Sequence, residues 1–257
     1  MLESYAEYYS FSSHNKLLFM GNSYFQFKQF SIHHDRCAMK VGTDGVLLGA
    51  WAPLIQPRHI LDIGTGSGLI AMMLAQRYPQ AQVTGIDIDT ASIEQAAENV
   101  AASPFAERVA VKCQALQALQ DATASFDAIA CNPPFFEETL LPPDAGRAAA
   151  RHTTSLPFQE LVAISARLLC DGGRFCVVLP TTAFDAFRLL CFREGLFLVA
   201  RCDVQTSPRK APKRTLACFT KGSKTSPAQT TTTQLILMEN GHRSSDYTAL
   251  TRDFYLA

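Results

Sequence analysis

The sequence lacks an excess of charge, grouped cysteines and a long apolar run. Its 257 residues carry 23 basic and 23 acidic side chains, and the pI near 7.0 does not indicate a polyanion partner. The eight cysteines are scattered singly, without the CxxC pairs of a zinc site or a secreted disulfide framework. The doublet His33–His34 has no partner cluster, so no metal is expected. Because no apolar run could span a bilayer and the first residues lack signal-peptide character, we expect a soluble, cytoplasmic protein.

Short apolar runs alternate with amphipathic stretches between residues 59 and 200, which is typical of parallel strands joined by crossover helices. The predicted strands are 59–64, 82–88, 108–113, 126–131, 174–180, 196–204 and 215–220, with 232–239 as a further candidate. The predicted helices are 67–78, 91–102 and 158–169. The pattern indicates an α/β fold, a doubly wound, mostly parallel seven-stranded sheet flanked by helices. Its ligand site should lie beyond the carboxyl ends of the strands.

The remaining segments are expected to extend this core rather than form separate domains. Residues 23–257 are predicted to be one domain, with an N-terminal extension at 23–52, a cofactor and catalytic core at 53–220 and a C-terminal strand and tail at 221–257. Residues 1–22 are expected to be disordered. A monomer is expected.

The stretch "LDIGTGSGLIAMML" places Gly64, Gly66 and Gly68 on a turn between a strand and a helix, where the backbone can approach a ligand closely. Nicotinamide, flavin and sulfonium cofactors all use such a turn. Asp62 stands two residues before the first glycine, where a carboxylate attracts the cationic amino group of S-adenosylmethionine and repels a pyrophosphate. A purely structural alternative is that the glycines only form a tight turn.

A second carboxylate, Asp87, ends the next strand in "GIDID", where it can accept both hydroxyls of a ribose. Ile88 beside it can pack on an adenine ring, although both aspartates could instead be helix caps. Together with "NPPF", these motifs resemble the class I S-adenosylmethionine-dependent methyltransferases. That superfamily often has an acidic residue after the third strand; this chain reads "KCQALQAL", which makes Gln114 the candidate for the adenine edge.

The tetrapeptide Asn132-Pro133-Pro134-Phe135 follows the fourth predicted strand, where a transferred methyl group should lie. If the Asn132 side-chain oxygen and the Pro133 carbonyl each accept a hydrogen of an exocyclic amine, the nitrogen lone pair is directed at the methyl donor. Proline fixes φ and so orients the carbonyls, while Phe135 can stack on a flipped base. The alternative is a purely structural role, in which the strand simply ends in a proline turn.

The substrate is indicated by the ends of the chain rather than by this tetrapeptide, because related motifs serve adenine N6, guanine N2, cytosine N4 and glutamine amides. The segments "FQFKQFSIHHDRCAMKVGTDGVLLGAWA" (25–52) and "DYTALTRDFYL" (246–256) resemble the bacterial tRNA adenine-N6 methyltransferases that modify adenosine 37, beside the anticodon, of a valine tRNA. The resemblance implies that Lys40, Gly42, Thr43 and Asp44 lie against the cofactor pocket. The alternatives are an rRNA guanine-N2 methyltransferase, a protein glutamine-N5 methyltransferase and an inactive RNA-binding protein with this fold.

Local charge departs from the neutral average in the segment 201–224, which holds seven cations and one acid. Clustered lysine and arginine suit contacts with RNA phosphates. A second set of cations lies near the aromatic residues Phe25, Phe27 and Phe30, which could stack on unpaired bases. The candidate RNA-binding residues are Lys28, Arg36, Arg151, Arg209, Lys210, Lys213 and Arg214. For any single one of them, an ordinary solvated surface position is the alternative.

Overall fold

The computed structural model describes residues 22–119, 124–134, 156–222 and 230–256. Residues 1–21, nearly all of the segment that is predicted to be disordered (1–22), lie outside these ranges. Phe135 and Arg151 also lie outside them. Every other predicted site residue falls within them.

The described chain begins with an antiparallel hairpin of β1 (Tyr24–Gln26) and β2 (Ser31–His33). Phe27 is fully buried and Phe30 is 4% exposed, with their rings stacked 4.8 Å apart between centroids. The prediction that these two rings stack on bases is therefore wrong, because both belong to the hydrophobic core. Phe27 also forms a bridge to Tyr255, which joins the first and last segments of the described chain.

A sheet of eight strands lies at the centre of the fold. Its strands are β3 (His59–Ile63), β4 (Gln82–Asp87), β5 (Val109–Cys113), β6 (Phe126–Cys131), β7 (Leu169–Pro180), β8 (Leu196–Gln205), β9 (Arg214–Lys221) and β10 (Thr231–Ile236). The spatial order is β5, β4, β3, β6, β7, β9, β8, β10, and within this sheet only β9 runs antiparallel to its neighbours. The doubly wound, mostly parallel sheet is confirmed, with eight strands rather than seven because β10 adds an edge beside β8. A short pair, β11 (Met238–Glu239) and β12 (His242–Arg243), follows.

Six α-helices occur in the described ranges, and the three predicted ones end within two residues of the expected positions. The helices are α1 (Thr43–Trp51), α2 (Leu69–Arg77), α3 (Thr90–Ala101), α4 (Phe158–Leu168), α5 (Phe184–Arg193) and α6 (Ser245–Thr251). Side-chain caps set where two of them begin: Asp89 accepts a hydrogen bond from the Ser92 amide, and Ser244 accepts one from the Tyr247 amide. Across the described ranges, no helix has both the length and the apolar character needed to cross a membrane.

Apolar side chains cover both faces of the sheet in two buried clusters. Along β3, Ile60 packs into the cluster that holds α1 and α2, and Leu61 into the one that holds α4 and α5, because successive strand residues point to opposite faces. The first cluster also contains the N-terminal hairpin and Phe254. With both faces covered, the carboxyl edge of the neighbouring strands β4, β3 and β6 is where chemistry-bearing residues gather.

Candidate active site

A cavity of about 570 Å³ opens at the carboxyl ends of β3, β4 and β6, a size suited to a small-molecule ligand. Its walls come from the loop before α1, the turn after β3, the ends of β4 and β5, and the segment after β6. The lining residues are Cys37, Ala38, Met39, Ile63, Gly64, Gly66, Ile86, Asp87, Ile88, Asp89, Ser92, Gln114, Ala115, Leu116, Gln117, Cys131, Asn132, Pro133, Pro134 and Leu156. The glycine turn and Asp87, which are predicted to bind a cofactor, therefore line the same cavity as residues 132–134, which are predicted to bind an amine.

The glycine turn presents bare backbone to this cavity. Gly64 and Gly66 adopt φ values of 70° and 51°, and a Cβ added at either would meet nothing within 4 Å. The Gly64 and Thr65 amides both donate to the carbonyl of Ile86, which holds the turn against β4. Gly68 differs, because a Cβ there would contact Ala96 of α3 at 3.5 Å. Two of the three glycines thus face open space, and the third is favoured by its φ of 85° rather than by lack of room.

Asp62 lies inside the turn and is completely buried. Its Oδ2 accepts hydrogen bonds from the Thr65 hydroxyl at 2.6 Å and from the Ala71 amide at 3.1 Å. Its Oδ1 has no hydrogen-bond partner within the described part of the chain. Burial raises the pKa of this carboxyl to about 7, against the lowering effect of the two hydrogen bonds. Asp62 shapes the turn, and the predicted attraction of an amino group by its carboxylate stays a prediction.

A glycine that the sequence reasoning missed supports the same turn. Gly85 of β4 pairs with Asp62 of β3, and a Cβ at this position would lie 2.6 Å from the Thr65 hydroxyl oxygen. The buried Thr65 side chain fits only because residue 85 has none. The available signal was a glycine within a predicted buried strand, which often marks close approach of other groups.

Asp87 places a half-buried carboxylate on the cavity wall. Its Oδ2 accepts from the Gly66 amide at 2.9 Å and its Oδ1 from the Asp89 amide at 3.0 Å, so the carboxylate is held in one orientation. A carboxylate oxygen has a second lone pair, which leaves acceptor capacity for hydroxyls of a ligand. Ile88 next to it is 58% exposed and offers an apolar surface. Gln114 lines the same region, and its backbone N–H donates to the Asp87 backbone carbonyl.

Asn132, Pro133 and Pro134 continue from the buried end of β6 along the cavity wall. Because β6 lies beside β3, the carboxyl ends of these strands bring the amide and the proline carbonyls to the same cavity as the glycine turn. Cys131, the last residue of β6, is 1% exposed, and burial raises the pKa of its thiol well above the ordinary value. This thiol is therefore neutral and inert at physiological pH.

The loop before α1 contributes different residues from those expected. Lys40, Gly42, Thr43 and Asp44 do not line this cavity, whereas Cys37, Ala38 and Met39 do. Lys40 is exposed, Gly42 precedes the first residue of α1 with an extended backbone, and Asp44 forms an ion pair with Arg214 at 2.8 Å. The sequence signal for this wall was Met39 in "DRCAMK", a large apolar residue in a segment with three charged residues; its side chain is 64% exposed.

The predicted RNA-binding residues divide into paired and solvent-facing groups. Lys28 donates to the Arg252 carbonyl, and Arg36 forms ion pairs with Glu94 and Glu98 of α3. Three exposed cations, Arg209, Lys210 and Lys213, lie between β8 and β9 and are called the basic turn below. Arg214 is half-buried beside α1, and Arg151 lies outside the described residues.

Histidine, cysteine and carboxylate side chains in the described ranges do not form groups of three suited to a metal ion. His34 is 5% exposed, and its ring nitrogens contact the backbone of Asn22 and Val41 at 2.9 and 3.3 Å. That ring is therefore used to hold the loop that leads toward the cavity.

The family described as methyltransferase small domain matches residues 44–183. The tRNA1(Val) (adenine(37)-N6)-methyltransferase of Phocaeicola vulgatus is 45% identical over 238 residues, which cover 92% of this chain and 99% of the relative. The structure of a predicted O-methyltransferase from Agrobacterium tumefaciens has a TM-score of 0.61 at 19% identity and covers 82% of this chain and 96% of that one. A T. thermophilus 16S rRNA N2 methyltransferase in complex with AdoMet and guanosine has a TM-score of 0.52 at 21% identity, covering 75% of this chain and 47% of that one. The two structures confirm the fold.

Proposed function

Because the chain belongs to the family of tRNA1(Val) (adenine(37)-N6)-methyltransferases, we propose that it methylates the N6 amine of adenosine 37, beside the anticodon, in a valine tRNA. One observation carries the reaction type: Asn132 and Pro133 line the same cavity as the glycine turn and Asp87. An rRNA guanine-N2 or protein glutamine-N5 methyltransferase would share that cavity but not the similarity over 92% of the chain. An inactive RNA-binding protein would have no need of an intact Asn-Pro-Pro segment.

The cavity fits S-adenosylmethionine, the methyl donor implied by the family. The open backbone at Gly64 and Gly66 would lie along the amino-acid part of the cofactor, the Asp87 carboxylate would accept the ribose hydroxyls, and Ile88 would pack on the adenine. When bound, this cofactor supplies an electrophilic methyl group on a sulfonium sulfur. Gln114, which lines that region, would contact the adenine edge.

The chain's own contribution to methyl transfer is to position and activate a poor nucleophile. The lone pair of an exocyclic amine is delocalised into the purine ring, so the amine needs acceptors that draw its nitrogen toward tetrahedral geometry. Asn132 Oδ1 and the Pro133 carbonyl would accept the two amine hydrogens, and the prolines keep the carbonyls fixed because their φ angles are restrained. Phe135 would stack on the extruded base. The excess proton leaves to water.

RNA would reach this cavity across the basic turn, whose three exposed cations can contact phosphates without reading the sequence. Lys28, Arg36 and Arg214 already have protein partners, so their contacts with RNA would compete with those interactions. We include Arg151 in the RNA surface from its place in the sequence alone. The protein is proposed to act as a cytoplasmic monomer.

The decisive experiment identifies the methylated nucleoside. The protein is incubated with labelled S-adenosylmethionine and total tRNA from a strain that lacks this activity, and the tRNA is digested and analysed. Label in N6-methyladenosine of a valine tRNA is expected. Label in N2-methylguanosine, or in protein alone, would contradict the proposal.

The role of Asn132 is tested by Asn132→Ala. Transfer should fall by at least about 100-fold, since a directional acceptor at the reacting amine is lost, while cofactor affinity should change less than about twofold. Gln234→Ala, which truncates an exposed amide on the edge strand β10, is the matched control and should change neither quantity. Equal losses of transfer and cofactor affinity with Asn132→Ala would show that the residue binds cofactor instead.

A further inference from the structure

One wall of the cavity belongs to no helix or strand and needs an external support. Cys37, Ala38 and Met39 line the cavity from the loop between β2 and α1, together with Asp87 and Ile88 from the end of β4 and the residue after it. An irregular loop keeps a fixed position only if its backbone groups have partners. Besides the His34 ring, the partners come from two buried amides on one face of α3.

Gln95 is 2% exposed and binds three consecutive residues of the loop. Its Oε1 accepts from the Arg36 amide at 2.9 Å and from the Cys37 thiol at 3.3 Å. Its Nε2 donates to Asp35 Oδ1 at 2.8 Å. The loop is thus held directly beside the first residue that lines the cavity.

Asn99 lies one helical turn later on the same face of α3 and is also 2% exposed. Its Oδ1 accepts from the His33 amide at 2.9 Å, and its Nδ2 donates to the His33 carbonyl at 2.8 Å. The same Nδ2 donates to the Ser67 carbonyl at 3.0 Å, within the glycine turn. A single side chain therefore joins the start of the loop to the glycine turn.

Arg36 adds a third connection at the surface, because it pairs with Glu94 and Glu98 on the exposed side of α3. Exposed ion pairs contribute little to the stability of a folded protein. Buried side-chain amides differ from such ion pairs, because a buried donor or acceptor without a partner is destabilising. Without the loop, an apolar residue would therefore suit this face of α3 better than an amide. The amides are favourable at these positions only with the loop in place.

We infer that Gln95 and Asn99 are positioning residues for cofactor binding, which hold the wall formed by Cys37, Ala38 and Met39 at a fixed distance from the glycine turn. The inference rests on the proposed function, since it names the supports of the same cavity. The hydrogen bonds of the two amides go to the loop and the glycine turn and not to the proposed amine-activating segment at 132–134. Their loss should therefore weaken cofactor binding and leave the methyl-transfer step at saturating cofactor nearly unchanged.

The test measures binding of S-adenosylhomocysteine by titration calorimetry, without turnover. Gln95→Met and Asn99→Leu keep the side-chain size and remove the hydrogen bonds. Each should weaken binding by about tenfold, as expected for the loss of two or three hydrogen bonds that order a loop. In steady-state assays the KM for S-adenosylmethionine should rise by a similar factor, with kcat within about threefold of wild type.

A reciprocal exchange separates positioning from general stabilisation. Gln95→Glu alone puts a second carboxylate next to Asp35, so binding should weaken. Combined with Asp35→Asn, it restores the hydrogen bond with donor and acceptor exchanged, and the other carboxylate oxygen still accepts from Arg36 and Cys37. The double variant should recover most of the affinity lost in Gln95→Glu.

Gln76→Met is the matched control, because it removes the same amide from α2, where Nε2 donates to the Asp253 carbonyl at 2.9 Å and the loop is not contacted. It should leave cofactor affinity unchanged. If wild type binds S-adenosylhomocysteine and the Gln95 and Asn99 variants bind it equally well, the inference is overturned while the proposed function stands. If wild type itself binds none, the proposed function fails first.

Discussion

Replacing Asp62 by asparagine should stabilise the ligand-free protein at neutral and alkaline pH. Asp62 is fully buried, and only its Oδ2 has hydrogen-bond donors in the described structure, Thr65 and Ala71. Asparagine has nearly the same shape, and its side-chain oxygen can accept both of these hydrogen bonds. The substitution therefore removes a buried negative charge and keeps the contacts that form the turn.

The magnitude follows from the folded and unfolded pKa values of Asp62. Burial raises the pKa from 3.8 to about 7, so between these values the unfolded chain loses its proton while the folded chain keeps it. Stability therefore falls as the pH rises through this window, by about 1.4 kcal/mol per pH unit. Above the folded pKa both states are ionised, and the full penalty of about 4 kcal/mol is constant. That figure is an upper bound, because the protein can relax around the charge.

Urea unfolding of wild type and Asp62→Asn, at pH values from about 4.5 to about 8.5, measures this effect. The free-energy difference between the two proteins should be small at the acid end and grow to about 2–4 kcal/mol in favour of the variant at the alkaline end. Asp171→Asn, at an exposed position, is the control and should change little at any pH. A difference in unfolding free energy that does not vary with pH would refute the reasoning, because it would show that Asp62 does not titrate differently in the folded and unfolded states.

Three further outcomes are expected. Gly85→Ala should destabilise the protein by about 1–3 kcal/mol in urea unfolding, since the added Cβ would lie 2.6 Å from the Thr65 hydroxyl oxygen. Gly222→Ala, where a Cβ meets nothing within 4 Å, should stay within about 0.5 kcal/mol of wild type; equal effects would contradict the packing argument. Replacing all three cations of the basic turn by alanine should weaken tRNA binding and reduce the slope of log K against log salt by about 2; an unchanged slope would remove this turn from the RNA surface. Ser244→Ala should cost about 1 kcal/mol through loss of the α6 cap, and an unchanged unfolding midpoint would contradict that.

The strand and helix pattern of the core was predictable because each element is long enough to show its own hydrophobic period. The helix α5 was missed although it is ten residues long, because "FDAFRLLCFR" carries Leu189 and Phe192 exposed and so has no clean apolar stripe. The strand β10 remained ambiguous for a similar reason. In it only Leu235 is buried, which is the pattern of an edge strand with little contact to the core.

The meeting of Gly64, Gly66, Asp87 and Asn132 at one cavity was predictable, because spacing along the chain places each of them at the end of a strand. The site was not predictable where distant segments meet. Gln95 and Asn99 read as polar positions of an amphipathic helix, and nothing near them in the sequence indicates that residues some 60 positions earlier are their partners. The ion pair of Asp44 with Arg214 spans 170 positions and was hidden for the same reason. Family membership, predicted from the two end segments, is confirmed.

Those end segments also bear on the cofactor cavity. Phe27 forms a bridge to Tyr255, and the Lys28 backbone amide donates to the carbonyl of Phe254 at 2.8 Å, so the C-terminal tail is fastened to the hairpin. The hairpin continues into the loop that Asn99 holds and then into the wall at Cys37–Met39. A loop forms a rigid wall only if it is held at more than one point, and here the tail and the α3 amides hold the same stretch of chain from two sides. The end segments on which the resemblance to this family rests therefore also support the proposed cofactor side of the cavity, where the glycine turn and Asp87 alone would leave one wall open.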